Sequence, residues 1–245
     1  MSAGRLEQFP FLDADACADV VRTAERNPDL TVDRRPDRPG EFVTYGRSAY
    51  LDVCPGDAAP EQNYYRLLAD TNAGLWKAFE GLYHRLRQTL ADELGEPVGY
   101  RPDDLALPGL HVFRGSAIAL ADHASAHFDQ QYGSLRLPAP RDPGVPPLTV
   151  TVPLRMPSNG TGLIVYDVEP DRYRAAVARG AATSLESYAR RRTRAYHPYT
   201  LGSMVLHRGL LMHQLSSPGP IVAGDERITL QGHAIRCGGE WILYW

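Results

Sequence analysis

Lysine is almost missing from this chain. Of its 26 basic residues, Lys77 is the only one that is not an arginine, and 29 acidic residues leave a net charge of −3. Without a basic, aromatic-rich stripe the chain lacks the electrostatic footprint of a nucleic-acid binder. Cysteine is scarce too: Cys17, Cys54 and Cys237 are far apart and have no CxxC spacing. That excludes a disulfide framework and a thiolate zinc site, and fits reduced thiols in a cytoplasmic protein. No stretch approaches the roughly 20 apolar residues of a membrane span. The N-terminal MSAGRLEQFPFLDAD carries no apolar core of signal-peptide length. The expectation is therefore a cytoplasmic protein with no membrane and no nucleic-acid partner. Oligomeric state cannot be read at this stage.

The first third has helical texture. Asp13 suits an N-cap for a helix over 14–26, which Asn27-Pro28 ends. Residues 33–40 (DRRPDRPG) are rich in turn formers, and 42–53 has room for one or two short strands. A long helix fits 61–94, because Leu68, Leu75, Phe79, Leu82, Leu86 and Leu90 recur at steps of three, four or seven. Gly95 and Pro97 stop it.

From Leu107 the pattern changes to short β-like runs separated by Gly, Pro and Asn. The candidates are 110–114, 116–120, 148–154, 162–168, 203–207, 227–237 and 241–245. Such spacing predicts a sandwich or barrel, here a jelly roll with helices packed on one sheet. The expected organisation is one domain over 1–245, with 1–106 as helical support and 107–245 as the core. Residues 170–194, charged and rich in Ala and Arg, read as a helical insertion serving either as a lid or as a solvated connector.

His127-Phe128-Asp129 is the segment with the most chemistry. Among eight histidines, His127 is the only one with a carboxylate two residues on. In extended backbone, i and i+2 share a face, so His127 and Asp129 converge while Phe128 turns into the wall. Two imidazoles and one carboxylate on one face of an iron leave the remaining positions open. The third ligand is expected from a later strand, and His213, 86 residues on, stands at the start of one. His207 competes for that role from the end of the preceding strand.

Arg227 lies inside the apolar run RITLQGH, where alternation puts Arg227, Thr229, Gln231 and His233 on one face, opposite Ile228 and Leu230. A buried guanidinium needs an anion, and its planar fork suits a carboxylate. Thr229 can add a hydroxyl.

The combination of His127-Phe128-Asp129, His213 and Arg227-Ile228-Thr229, with GTGLIVYD between the ligands, resembles the Fe(II)/2-oxoglutarate-dependent dioxygenases over roughly 107–237. The resemblance implies a double-stranded β-helix, a cupin-like jelly roll. It also implies iron on His127, Asp129 and His213, with 2-oxoglutarate chelating the metal and its distal carboxylate on Arg227 and Thr229. Oxygen is then the oxidant, and the co-substrate leaves as succinate. More loosely the chain looks like the branch acting on free amino acids, the lysine halogenases and hydroxylases. Halogenases of that class replace the carboxylate ligand by glycine or alanine to admit chloride. Asp129 departs from that pattern and points to hydroxylation, or to desaturation or cyclisation, in secondary metabolism.

An amino-acid-like substrate needs an arginine for its carboxylate and an acid for its ammonium. Arg47, Arg114, Asp122 and His123 are the candidates, with His233 beside the metal and Trp241 or Trp245 as caps. The arginines at 190, 191, 192 and 194 read as a solvated helix end or part of a lid. A peptide- or nucleic-acid-modifying oxygenase and a non-oxygenase cupin-like metal protein stand as alternatives.

Overall fold

Alternation in the second half of the chain builds two facing, mainly antiparallel sheets. The computed structural model describes residues 6–53, 60–121, 126–216 and 219–245. In the larger sheet, β1 (Leu6–Pro10), β9 (Ser203–Arg208), β6 (Leu148–Arg155), β11 (Glu226–Cys237), β5 (Gly109–Arg114), β3 (Phe42–Tyr45) and β2 (Thr31–Asp33) are neighbours in that order. Off this path, β12 (Glu240–Tyr244) pairs with β11 and with β4 (Val98–Tyr100), the latter being the parallel pair. The smaller sheet runs β10 (His213–Ser216), β7 (Gly162–Tyr166), β8 (Arg194–Pro198). This is a jelly roll: β11 lies between β5 and β6, and each inner strand has one face toward helices and one toward the smaller sheet.

Helices cover the outer face of the larger sheet. Asp13 caps α1 (Ala14–Glu25), its carboxylate accepting from the Ala16 amide at 2.8 Å, and satisfies an amide that the first turn otherwise orphans. The long α3 (Pro60–Leu94) carries the expected apolar stripe, broken by non-helical backbone at Phe79. Leu75, Phe79, Tyr83, Leu86 and Leu90 bury against Leu110, Val112, Val150, Val152, Ile228 and Leu230 from β5, β6 and β11. Each such side chain contributes about 2 kcal/mol of burial. Among the described residues no helix is long and apolar enough to cross a membrane.

The first 106 residues do more than supply helices, because β1 and β3 extend the larger sheet on both sides. Residues 116–120, expected as a strand, form the helix α4 (Ser116–Ala121). Gly115, at φ +51°, ends β5 and turns the chain; a five-residue apolar run has no periodicity of its own to separate strand from helix. Within 42–53 the single strand β3 is followed by the short α2 (Ala49–Asp52).

The insertion holds α5 (Pro170–Ala178) and α6 (Leu185–Ala189). Ala176, Tyr188 and Ala189 bury with Ala126, Tyr166, Val168 and Met212, and Phe128 packs against this cluster. The insertion thus braces the segment carrying His127 and Asp129 from behind.

Candidate metal centre

Backbone pairing sets the geometry of this site. His127 and His213 exchange both backbone hydrogen bonds, each at 3.0 Å, so the His127 segment adds a further rung to the smaller sheet beside β10. Their rings lie 4.5 Å apart. With Phe128 anchored behind, Asp129 turns back to the same point: its Oδ1 is 3.8 Å from His127 Nε2 and its Oδ2 is 3.3 Å from His213 Nε2. One donor atom from each of the three residues lies within 4.8 Å of the others. That closeness, in a set of two nitrogens and one oxygen, suits a single shared divalent ion.

The surroundings prepare these donors. His213 Nδ1 sits 2.9 Å from the Leu211 carbonyl, so Nδ1 carries the proton and donates, leaving the Nε2 lone pair for a metal. Thr149 donates to Asp129 Oδ2 and lies 3.3 Å from His233 Nδ1. Burial alone would raise the Asp129 pKa. The imidazoles of His213, His233 and His127, with the Thr149 hydroxyl, outweigh it and hold the carboxyl well below its usual range. A carboxylate ionised at any physiological pH is what a cationic centre needs.

The three residues open onto a cavity of about 290 Å³. Gln231 and His233 face it from β11, while Ile228 and Leu230 on the other face enter the helix-packed core, as the alternation requires. Arg227 is fully buried at the start of this inward row, its guanidinium 4.2 Å from the centre of the Phe113 ring. It acts electrostatically on His111 and Tyr199, both cavity-lining residues. A polar ladder joins the inward rows of β6 and β11 beside it. Tyr199 shares a hydrogen bond with Thr151, Thr151 donates to Gln231 Oε1 at 3.1 Å, and Gln231 reaches Thr229 at 3.4 Å.

His207, the competing third ligand, lines the same cavity with its ring 5.1 Å from that of His213. Burial first, then the charge of His213, takes its pKa down to about 4. Burial and the Arg227 charge take His111 down to about 3. Both are neutral imidazoles near pH 7. Among the described residues, His111 Nε2 and both His207 nitrogens meet no hydrogen-bond partner.

Of the candidate substrate contacts among the described residues, His233 and Trp245 line the cavity, and Arg47, Arg114 and Trp241 do not. Arg47 leans on Asp52 at 3.4 Å, and Asp52 is clamped by Arg34 at 2.7 and 2.8 Å. Arg114 is bonded to Glu226 and to the Gly40 carbonyl. Trp241 belongs to the helix-packed core, where its indole donates to Glu96 at 2.6 Å; Trp245 lines the cavity. Trp241 and Leu243 share the strand face turned to α3, whereas Trp245, of the same parity, lies past the end of β12, where strand alternation no longer sets its direction. Asp122 and His123 lie outside the described residues. No residue of 170–194 lines this cavity.

Thr149, Thr151, Tyr199, Tyr50 and His111 escaped sequence reasoning. For the threonines a signal existed: in β6, Val150 and Val152 enter the core while Thr149 and Thr151 alternate inward. Tyr199 follows the end of β8 in an irregular stretch, where no periodicity reports side-chain direction.

No family model matches the chain, and no curated protein matches its sequence. Solved structures do. An N-substituted L-amino acid dioxygenase from Burkholderia ambifaria, in complex with α-ketoglutarate, aligns over 94% of this chain and 91% of its own at 14% identity and a TM-score of 0.50. HygX from Streptomyces hygroscopicus, with nickel and 2-oxoglutarate bound, aligns over 94% and 83% at 16% identity and a TM-score of 0.46. The chain has the double-stranded β-helix fold of the N-substituted amino acid dioxygenase, almost from end to end.

Proposed function

We propose that the chain, as one unit over 1–245, is an Fe(II)/2-oxoglutarate-dependent oxygenase that oxidises an unactivated C–H bond of a small molecule. The observation that carries this reading is the convergence of His127, Asp129 and His213 on the wall of a cavity, with the fully buried Arg227 packed behind its lining residue Phe113. The donor set fits ferrous iron: two imidazole nitrogens and a carboxylate would bind three positions and leave the others open. Iron, 2-oxoglutarate and O2 together would supply the oxidising power, with the co-substrate leaving as succinate and carbon dioxide.

The chain's own part is to bind, orient and insulate. Arg227 would hold the distal carboxylate of the co-substrate through a charge-assisted fork, with Thr229 and Tyr199 completing the oxygen contacts. Thr149 keeps Asp129 oriented. The aliphatic and aromatic walls keep bulk water from the reacting carbon. A cavity of about 290 Å³ favours a small molecule over a polymer groove. Asp129 occupies the position that chloride would need, which favours hydroxylation or a related oxidation over halogenation.

The test is succinate release dependent on Fe(II), 2-oxoglutarate and an added small molecule, followed by product mass. His127→Ala must abolish it. Undiminished turnover in that variant, or turnover stimulated only by peptides or oligonucleotides, would overturn the proposal.

A further inference from the structure

Away from the metal donors the cavity is walled by rings. Phe42 and Phe113 stack with their centres 4.3 Å apart and their planes within 9°. The His111 ring meets both edge-on and contacts the Trp245 indole at 5.0 Å. Tyr50, 52% exposed, tilts over His127 at 5.6 Å between ring centres. Leu51, Leu163 and Leu215 supply the remaining apolar surface.

The polar atoms that this wall does present are uncharged. His111 and His207 line the cavity and carry buried ring nitrogens that meet no hydrogen-bond partner, and Ser48 lines it too. Nearby cations are already engaged: Arg34 and Arg47 both pair with Asp52, which also accepts from the Ser48 amide at 2.7 Å, and Arg227, buried against the Phe113 ring, is the group assigned to the co-substrate. Among the described lining residues there is no lysine, arginine or glutamate, and Asp129 is the only acidic side chain; it is assigned to the metal.

We infer that this chamber takes an uncharged aromatic ring of the substrate, seated against Tyr50, Phe42 and Trp245, and that any charged group of that molecule stays outside it. The inference rests on the oxygenase reading for which C–H bond is attacked, but not for the binding itself. An ammonium or carboxylate brought into such a wall would give up its hydration with no counter-charge in return. A flat ring meets offset-stacked and edge-on partners, and a hydroxyl or amide on it can reach the free imidazole nitrogens. An amino-acid-derived substrate fits only with its charges masked or left at the mouth.

A matched series isolates charge from shape: 2-phenylethanol, phenethylamine, 3-phenylpropionate and L-phenylalanine share one ring. Their affinities are read by ligand-observed NMR titration on the full chain under anaerobic conditions, saturated with Fe(II) and 2-oxoglutarate. The neutral alcohol is expected to bind about tenfold or more tightly than each charged compound. Tyr50→Ala, at a half-exposed position that the fold tolerates, is expected to weaken the alcohol about tenfold. Leu51→Arg is expected to shift the preference towards 3-phenylpropionate. L-phenylalanine binding as tightly as the alcohol, no measurable binding of the alcohol, or an unchanged alcohol affinity in Tyr50→Ala would each overturn the inference. A titration of 2-oxoglutarate alone runs alongside, so failure of the co-substrate to bind, which would sink the oxygenase reading, is seen separately.

Discussion

Replacing Arg227 by methionine separates a binding role from a structural one, because the two predict opposite signs. Arg227 is fully buried and lies over the Phe113 ring at 4.2 Å. In the ligand-free protein, exchanging a buried cation for an apolar side chain of similar length removes a desolvation cost. It forfeits a cation–π contact worth about 1–2 kcal/mol. The two nearly cancel, so the melting temperature of the apo protein should move by no more than roughly 4 °C for a net change of about 1 kcal/mol. With 2-oxoglutarate the balance is different. Losing one partner of a buried, hydrogen-bonded charge pair costs about 2–5 kcal/mol, which is about 30- to 4,000-fold in the affinity for 2-oxoglutarate. Wild type at a hundredfold excess over Kd gains about 2.7 kcal/mol from ligand and should melt roughly 5–10 °C higher. Arg227→Met should show almost none of this gain at the same concentration. Arg227→Lys keeps the charge but loses the fork, and should fall between them. Paired thermal melts with and without 2-oxoglutarate read both quantities. A variant that is strongly destabilised as apo protein, yet keeps its 2-oxoglutarate shift, would refute the reasoning.

Thr149→Val removes the hydroxyl that orients Asp129 while keeping the shape of β6; Fe(II) affinity, read by competition with a chromogenic chelator, should drop about 10- to 100-fold with little change in melting. Gly109 lies under the Trp245 indole, where an added Cβ would fall 2.1 Å from a ring atom and 2.3 Å from the Tyr45 carbonyl. Gly109→Ala should cost about 1–3 kcal/mol by denaturant titration and should perturb ligand binding at the Trp245 wall; a neutral outcome would mean that the wall yields. Burial alone would raise the Asp52 pKa, but the hydrogen bonds and charge of Arg34, with Arg47, hold it lowered. A lowered folded pKa contributes stability that is complete above the unfolded value near 4 and is lost as pH falls through the folded one. Asp52→Asn should therefore cost about 2 kcal/mol at pH 7, and the gap from wild type should close at low pH.

The convergence of His127 and Asp129 was legible because its signal is local. His127 and Asp129 need only a period of two, and Arg227, Gln231 and His233 follow from the same rule on one strand. His213 was placed by its position at a strand start, and the structure brings it against Asp129. The α3 stripe was equally plain, because six apolar residues at helical spacing have one consistent reading. What stayed closed depends on tertiary parity. Trp241 and Trp245 look interchangeable in EWILYW, yet pairing of β12 between β11 and β4 turns one to the core and the other, past the strand end, to the cavity. Arg47 and Arg114 carry the right charge for a substrate anion, but pairing with Asp52, five residues on, and with the distant Glu226 engages it. The aromatic wall comes from α2, β3, β5 and the C-terminus, segments that nothing in the linear pattern connects.

One titration bears on the central claim more directly than any other. Fe(II) added anaerobically to the protein with 2-oxoglutarate should produce a visible metal-to-ligand charge-transfer band that saturates at one iron per chain. The band should be absent in Asp129→Ala and His213→Ala, and shifted to much higher 2-oxoglutarate concentration in Arg227→Met. Tight iron binding with no such band, or an equal band in the ligand-free variants, would contradict the account.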